Sequence, residues 1–210
     1  PHLQIFLSED LQQIVLIQQT VLNYKQIKMA AYFHQDPYTI AFDEVGNSFE
    51  SFYSYHPEMM GELNTTLFSF KDGGIWRHTN DTFFCNFYNI QYGASITTVF
   101  NTASLDKKTW ISVMETGNTI WACPVITTQM NTGGVTTNQT SLLLATDFVS
   151  LEAEYQASFL RDSSSPGGLV EGDSLKGNYM VIKFEKTSAN SFVYLNSATT
   201  KYINSPLNNR

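Results

Sequence analysis

The sequence predicts a mainly β protein built from antiparallel sheets. Three observations support this: a high aromatic content, frequent turn signals, and short segments in which apolar and polar residues alternate. The chain has 15 Phe, 11 Tyr and 3 Trp, and aromatic residues are enriched in strands. Turn residues recur at short intervals, which is typical of an all-β fold. We expect a meander of propeller-like sheets, followed by a second β region that is sandwich or barrel-like.

The N-terminal residues fit two interpretations. Ser8, Glu9 and Asp10 precede an apolar run, as at the start of an N-capped helix. Alternatively, they form the turn between strands at residues 3–7 and 13–17, and the β-branched content of these segments favours the strands. We expect strands here, and a further hairpin between residues 38 and 49.

Aromatic residues dominate the next stretch, residues 47–101. Strand side chains alternate with period two, so Phe49, Tyr53 and Tyr55 are predicted on one face of a strand and Phe52 on the other.

A tight hairpin is predicted over residues 65–78. Its strands flank the sequence Lys-Asp-Gly-Gly at residues 71–74. Glycine adopts the positive φ that such a reversal requires, so Gly73 and Gly74 are the expected turn residues.

Another hairpin is predicted farther along the chain, from strands at residues 108–114 and 119–123 around a Glu-Thr-Gly-Asn turn. In this arrangement Trp110 and Trp121 meet across the two strands. Residues 127–141 are rich in Thr, Asn, Gln and Gly, which predicts an exposed loop or arm.

The remaining elements follow in order. They are a long strand at residues 151–160, a loop at 161–172, a strand pair at 176–184 and 191–195, and a tail at 199–210. We expect neighbouring chains to order both polar loops and to capture the tail. The alternative for the tail is an edge strand on its own sheet. A composition change near residues 102–107 divides the chain into regions 1–104 and 105–210.

Composition and motifs argue against several function classes. The net charge is −7 and no run of Lys or Arg could neutralise several phosphates, so we expect no specific nucleic-acid binding. No apolar run approaches the roughly 18 residues of a membrane helix, so we expect no stable membrane insertion. The four His are not spaced as metal ligands and no catalytic motif occurs, so we expect no metal, no cofactor and no enzymatic activity. Cys85 and Cys123 are expected to be reduced.

A series of short segments carries a family resemblance. They are Ser-Phe-Tyr-Ser-Tyr at 51–55, Pro-Glu-Met at 57–59, Leu-Phe-Ser-Phe-Lys-Asp-Gly-Gly-Ile-Trp-Arg-His at 67–78 and Asn-Phe-Tyr at 86–88. This series resembles the tail nozzle or muzzle proteins of short-tailed, crAss-like phages that infect Bacteroidetes. The similarity extends over residues 38–207, with departures at Cys85 and Asn89. Pro1 in place of an initiator Met indicates a fragment or a processed chain.

The resemblance implies a non-enzymatic virion structural protein, a subunit of a muzzle or nozzle that forms part of the genome-exit tube. It implies a ring of copies of this chain, contacts with other tail or portal-proximal proteins, and DNA only as passing cargo. The implied location is the virion tail, after assembly in the bacterial host cytoplasm.

Candidate interface residues are the large side chains suited to subunit contacts: Trp76, Tyr88, Trp110, Trp121, Tyr202, Ile203 and Leu207. An alternative function is a carbohydrate- or receptor-binding β domain, in which the Trp and Tyr rings stack on sugars. The two functions differ in where the aromatic rings point. A tail wall buries them in the core and in subunit interfaces, whereas a lectin presents them on one open concave surface.

Replacement of Gly73 or Gly74 with Val is expected to lower the melting temperature, because β-branched residues resist positive φ. Thermal unfolding followed by circular dichroism tests this prediction. An unchanged melting temperature in both variants would contradict the proposed turn.

Overall fold

The computed structural model describes residues 13–17, 38–78, 82–132, 134–152, 154–164, 172–187 and 191–205. Almost all regular structure in these ranges is antiparallel β, as the sequence predicted. The chain divides into two compact units, Pro1–Tyr92 and Gly93–Arg210. The division lies before the predicted boundary at residue 104 because residues 94–100 form a strand that pairs within the second unit.

The described residues of the first unit form three antiparallel sheets whose strands follow one another in chain order, as in a meander. The sheets are β1-β2-β3, β4-β5-β6 and β7-β8. Their strands are β1 (Gln13–Ile17), β2 (Tyr38–Asp43), β3 (Ser48–Tyr53), β4 (Met59–Leu63), β5 (Thr66–Lys71), β6 (Gly74–Arg77), β7 (Asn86–Phe87) and β8 (Ile90–Gln91). Residues 13–17 are therefore a strand, whereas the predicted strand at residues 3–7 and turn at residues 8–10 lie outside the described ranges.

Two-residue turns close three hairpins of this unit, and both residues of each turn have positive φ. The pairs are Asn64-Thr65, Asp72-Gly73 and Tyr88-Asn89. Turns of this kind match the right-handed twist of the strands they join. The hairpin over residues 65–78 is confirmed, and Asn89 supplies a residue type that tolerates positive φ.

The predicted role of Gly74 is wrong. The left-handed residues are Asp72, with φ of 50°, and Gly73, with φ of 73°, while Gly74 already belongs to β6. A Cβ at Gly74 would lie 3.1 Å from Trp76 Nε1 and 3.3 Å from the Lys71 carbonyl oxygen. A larger residue at position 74 is therefore disfavoured by packing and not by backbone conformation.

The shared face predicted for Phe49, Tyr53 and Tyr55 is also wrong. Phe49 is 64% exposed, whereas Tyr55 is buried just beyond the end of β3. A register shift in the β2-β3 pairing places Ser51 opposite Ala41 and Phe49 opposite Phe42. Such a bulge interrupts the alternation of side chains along the strand.

The second unit packs two antiparallel sheets against each other. Its strands are β9 (Ala94–Phe100), β10 (Lys108–Gly117), β11 (Ala122–Thr132), β12 (Val135–Leu143), β13 (Val149–Leu151), β14 (Glu154–Ser158), β15 (Lys176–Gly177), β16 (Met180–Lys186) and β17 (Leu195–Asn204), with a short 3₁₀ helix at Ala145–Asp147. One sheet has the order β13-β14-β10, and both β15 and β17 also pair with β10. The other has the order β12-β11-β16-β9.

One hydrophobic core lies between these two sheets. Val113 and Ala157 enter it from the sheet of β10, while Ile126, Leu143 and Ile182 enter it from the sheet of β11. All five side chains are at most 3% exposed. The second unit is therefore sandwich-like, which is one of the two forms that the sequence predicts for it.

The predicted hairpin of residues 108–114 with residues 119–123 is not formed. β10 pairs with β14 and β17, whereas β11 pairs with β12 and β16, so the two segments belong to different sheets. Trp110 and Trp121 are both buried in the core instead of pairing across a hairpin.

The predicted polar loop at residues 127–141 is instead a long hairpin of β11 and β12. Its Thr residues suit strands because they are β-branched. Buried polar groups in this hairpin are satisfied: Thr128 Oγ1 donates to the Tyr179 carbonyl at 2.6 Å, and Gln139 Oε1 accepts from the Lys176 backbone N–H at 2.7 Å.

Three other segments of the second unit also differ from their predicted structure. The strand predicted at residues 151–160 is two strands, β13 and β14, separated near Glu152, whose φ is 48°. Residues 176–184 do not pair with residues 191–195, because β16 pairs with β11 and β9. The tail takes its alternative form up to Asn204, as part of β17 paired with β10. Of the loop at 161–172, residues 165–171 lie outside the described ranges.

The replacement Thr65→Gly is expected to stabilise the first unit. Thr65 is β-branched and exposed, yet it has φ of 62° in the β4-β5 turn. Relief of this strain exceeds the entropy cost of the new glycine, so we expect a gain of about 0.5–1 kcal/mol in the free energy of unfolding. Urea unfolding measures it. Asn64→Gly serves as the control and should gain less, because Asn tolerates positive φ; a loss of stability in Thr65→Gly would contradict the strain argument.

Candidate interaction surfaces

The predicted interface residues occupy different environments. Trp110 and Trp121 are 3% and 6% exposed and belong to the core of the second unit. Tyr202 is half-buried, with its ring centroid 5.5 Å from that of Trp110. Ile203 is exposed on β17, and Leu207 lies outside the described ranges. The buried Trp rings cannot contact a partner or a sugar unless the sandwich opens.

Trp76 and Tyr88 lie together in the first unit, both half-buried, with their rings 5.4 Å apart in an edge-on arrangement. They border a cluster in which Tyr55 stacks on Phe87 at 4.2 Å and on His78 at 5.1 Å. These rings therefore pack mainly on one another and form no open platform.

A buried serine links this cluster. Ser69 Oγ lies 2.6 Å from His78 Nε2 and 2.9 Å from the Tyr88 hydroxyl. Ser69 is on the inner face of β5, His78 follows β6, and Tyr88 is in the β7-β8 turn. The hydrogen bonds therefore connect the β4-β5-β6 sheet to the β7-β8 hairpin.

The Ser69–His78 contact resembles a nucleophile with its general base, but its environment is that of a structural group. Ser69 is fully buried, so a substrate cannot reach its oxygen. Burial also lowers the pKa of His78, which favours the neutral ring. No group of three His, Cys, Asp or Glu able to hold a metal occurs in the described part of the chain.

Lys108 is the buried cation of the second unit. Its ammonium donates to the carbonyl oxygens of Ala103 at 2.9 Å, Asp106 at 3.2 Å and Asn178. It also lies 5.7 Å and 5.6 Å from the ring centroids of Trp110 and Tyr202. All three donors are used, so Lys108 holds the connection before β10 and offers no free charge to a phosphate. Desolvation lowers its pKa, while the Asp106 carboxylate acts in the opposite direction.

Glu115 is a fully buried acid of the same unit. Its Oε1 accepts from the Trp121 backbone N–H at 2.7 Å, while Oε2 has no hydrogen-bond partner among the described residues. Burial raises the pKa of Glu115 to about 7, against the opposing effects of the Trp121 N–H and of Lys186. The Lys186 ammonium donates to Thr119 Oγ1 at 3.0 Å. Glu115 and Lys186 thus both hold the crossing from β10 to β11.

An exposed apolar surface covers one side of the β4-β5-β6 sheet. Met59, Phe70 and Ile75 stand in register across its three strands, with Ile75 69% exposed. The other side of the sheet is also occupied, by Met60, Ser69 and Trp76. We define the outer face of this sheet by its large apolar residues, Met59, Leu63, Phe68, Phe70 and Ile75. Gly61, Thr66 and the exposed Arg77 lie on the same side of the sheet, in register with them.

A shallow cavity of about 160 Å³ lies on the five-stranded sheet of the second unit. Five of its six lining residues carry a polar group and none is aromatic: Ser112, Met114, Gln156, Thr199, Thr200 and Lys201. The cavity offers hydroxyl and amide groups without a ring on which a sugar could stack. Among the described residues, no helix has the length and apolar character needed to cross a membrane.

The pH dependence of stability tests the environment of Glu115. The folded-state pKa of about 7 exceeds the ordinary value of 4.5, so the folded chain binds this proton more tightly than the unfolded chain. Its contribution to stability is therefore present below about pH 4.5 and is lost as the pH rises to about 7. The expected loss is on the order of 3 kcal/mol.

In Glu115→Gln this part of the pH dependence should disappear, because Gln keeps the acceptor for the Trp121 N–H but does not titrate. Urea unfolding of both proteins between pH 5 and 8 measures the difference, and Glu62→Gln, at an exposed site, is the control. Parallel profiles for wild type and Glu115→Gln would show that Glu115 is not desolvated.

Comparison with known proteins identifies no family for this chain. No protein-family model matches the chain, and no curated protein shows significant similarity to it. The function must therefore be inferred from the surfaces described above.

Proposed function

We propose that this chain is a non-enzymatic structural protein that acts by assembling with other chains. The particle we propose is a short phage tail, in which the chain is a subunit of the muzzle or nozzle around the genome-exit tube. Copies of the chain would form a ring and contact other tail or portal-proximal proteins. The series of segments within residues 51–88 supports this choice by its resemblance to such proteins.

The outer face of the β4-β5-β6 sheet is the observation that carries the proposal. Met59, Leu63 and Ile75 are 48%, 66% and 69% exposed, and they flank the half-buried Phe68 and Phe70. A contiguous apolar patch on a protein surface is typical of a binding site for another protein. Because the inner face already packs on the aromatic cluster, the outer face is free to bury apolar area against a neighbour.

The buried polar groups support a structural function. Ser69, Lys108 and Glu115 hold strands and connections together, and none of them is accessible to a substrate. The net charge of −7 supports DNA as passing cargo, since an acidic surface does not retain phosphates.

The proposed subunit contact differs from the one that the sequence predicts, in which neighbouring chains bind the polar loops and the tail. Residues 127–141 are committed to the β11-β12 hairpin, and residues 195–204 to β17. The outer face of the β4-β5-β6 sheet takes their place as the proposed subunit contact.

A second candidate function is a carbohydrate- or receptor-binding β domain. The polar cavity at Ser112, Gln156 and Lys201 favours it, because hydroxyl, amide and ammonium groups can bind sugar hydroxyls. The burial of Trp110 and Trp121 weighs against it, since these rings cannot stack on a ligand. A glycan array with the purified chain distinguishes the two functions.

The replacement Ile75→Glu tests the assembly proposal. Light scattering over a range of concentrations should show oligomers of the wild-type chain, and negative-stain electron microscopy should show rings. A charge on the outer face would have to be desolvated in the contact, so Ile75→Glu should weaken self-association by about tenfold or more.

Leu105→Glu is the matched control, because Leu105 is 94% exposed but lies in the connection before β10, outside the outer face. It should assemble like the wild type. A wild-type chain that stays monomeric at all concentrations, or equal assembly by Ile75→Glu, would contradict the proposal.

A further inference from the structure

Exposed sheet edges attract other strands, and most edges in the second unit are protected. Unpaired backbone N–H and C=O groups at an edge are a template for pairing with another chain, and proteins block them with short strands, charges, bulges or covering loops. Among the described residues, the strands at the ends of the two sheets are β13, β15 and β17 in one and β12 and β9 in the other.

Part of the β12 edge is covered by the chain itself. The Thr140 backbone N–H donates to Asp162 Oδ1 at 3.0 Å, and the Thr140 carbonyl accepts from the Ser163 backbone N–H at 2.8 Å. Ser141 Oγ also donates to the Leu160 carbonyl at 3.1 Å. The segment 160–164 therefore covers this edge at Thr140 and Ser141, near the C-terminal end of β12.

The end strands of the other sheet carry different protections, and β15 has only two residues. β13 has only three residues, and the chain turns away at Glu152 with φ of 48°. β17 carries the charge of Lys201, and its pairing with β10 contains two register shifts. Short length, charge and irregular pairing each discourage edge-to-edge contact.

In the described part of the chain, the edge formed by β9 shows none of these protections. Its seven residues, Ala-Ser-Ile-Thr-Thr-Val-Phe, include no charge, no proline and no glycine. They pair with β16 in seven consecutive steps without a register shift, and no other described strand pairs with β9. Ile96 and Val99 are 52% and 59% exposed. β9 is thus a regular, uncharged and β-branched edge.

We propose that the free edge of β9 pairs antiparallel with β9 of a second copy of this chain, about a twofold axis at Thr97. This register places Thr97 opposite Thr97, Ile96 opposite Thr98, Ser95 opposite Val99 and Ala94 opposite Phe100. Large side chains thereby face small or medium ones, and the central Thr–Thr pair is a favourable cross-strand pair. Each β9 gains backbone hydrogen bonds, and the two four-stranded sheets become one sheet of eight.

Charge favours this edge as the contact between copies. Two chains of net charge −7 repel each other, and the repulsion is smallest where the contacting segments are neutral. Because β9 carries no ionisable side chain, its self-pairing places no like charges directly opposite each other.

The pairing stands independently of the proposed tail function, since it rests on the second unit alone. A twofold contact joins two copies and closes no ring by itself, so it would add to contacts made by the outer face of the β4-β5-β6 sheet.

Substitutions of Thr97 by residues of opposite charge test the pairing in the full chain. The wild-type chain should dimerise in sedimentation equilibrium. Thr97→Glu and Thr97→Lys should each weaken dimerisation by about tenfold or more, because like charges then meet at the twofold axis. An equimolar mixture of the two variants should recover dimerisation at least to the wild-type level, since Glu and Lys are then opposite. Within one chain, Thr97 faces Lys183 on β16, so Thr97→Glu keeps a favourable neighbour and should fold normally.

Thr199→Glu and Thr199→Lys are the matched controls, because Thr199 is an exposed threonine on β17 in the other sheet. They should dimerise like the wild type, alone and mixed. Repeating the series in the Ile75→Glu background separates this contact from any assembly through the β4-β5-β6 sheet, and melting curves confirm folding.

Three results would overturn the pairing. They are a monomeric wild-type chain, unchanged dimerisation of both Thr97 variants, and a mixture of the two variants that associates no better than either variant alone.

Discussion

Buried polar side chains must find hydrogen-bond partners, and in this protein that requirement fixes the connections that apolar packing leaves open. In the second unit, Lys108 holds the chain before β10 and Glu115 holds the chain after it. Gln139 joins β12 to the start of β15. In the first unit, Ser69 joins a sheet to the neighbouring hairpin. The apolar core stabilises the two sheets of the sandwich, whereas these few polar groups determine how the chain passes between elements.

The two surfaces proposed as contacts differ in the partners that they can bind. The outer face of the β4-β5-β6 sheet presents side chains such as Met59 and Ile75, and any complementary apolar surface could cover it. The edge of β9 presents backbone donors and acceptors, which only another extended strand can satisfy in series. A face of the first kind supplies contact area, whereas an edge of the second kind supplies orientation and register. An assembly that used both would combine affinity with a defined geometry.

The features that the sequence predicts well are local ones. The hairpin over residues 65–78 follows from two alternating segments and a turn that are adjacent in the chain. The predicted hairpin that pairs Trp110 with Trp121 is wrong because β10 pairs with the distant strands β14 and β17, which no local pattern encodes. The aromatic character of the two Trp residues indicated an interface, but burial depends on the tertiary structure. The neutrality of β9 is visible in the sequence, whereas its position at an edge follows only from the topology.

The pairing of β10 with β17 determines when the newly synthesised chain can finish folding. Thr116 and Ser197 bond across these strands although they are 81 residues apart in the chain. At about 5–20 residues per second, a ribosome needs roughly 4–16 s to translate that interval. Throughout this time β10 lacks its β17 partner, and Trp110 lacks the ring contact with Tyr202. The second unit therefore cannot complete its fold before β17 has been translated, and a chaperone that binds apolar strands would have this interval in which to act.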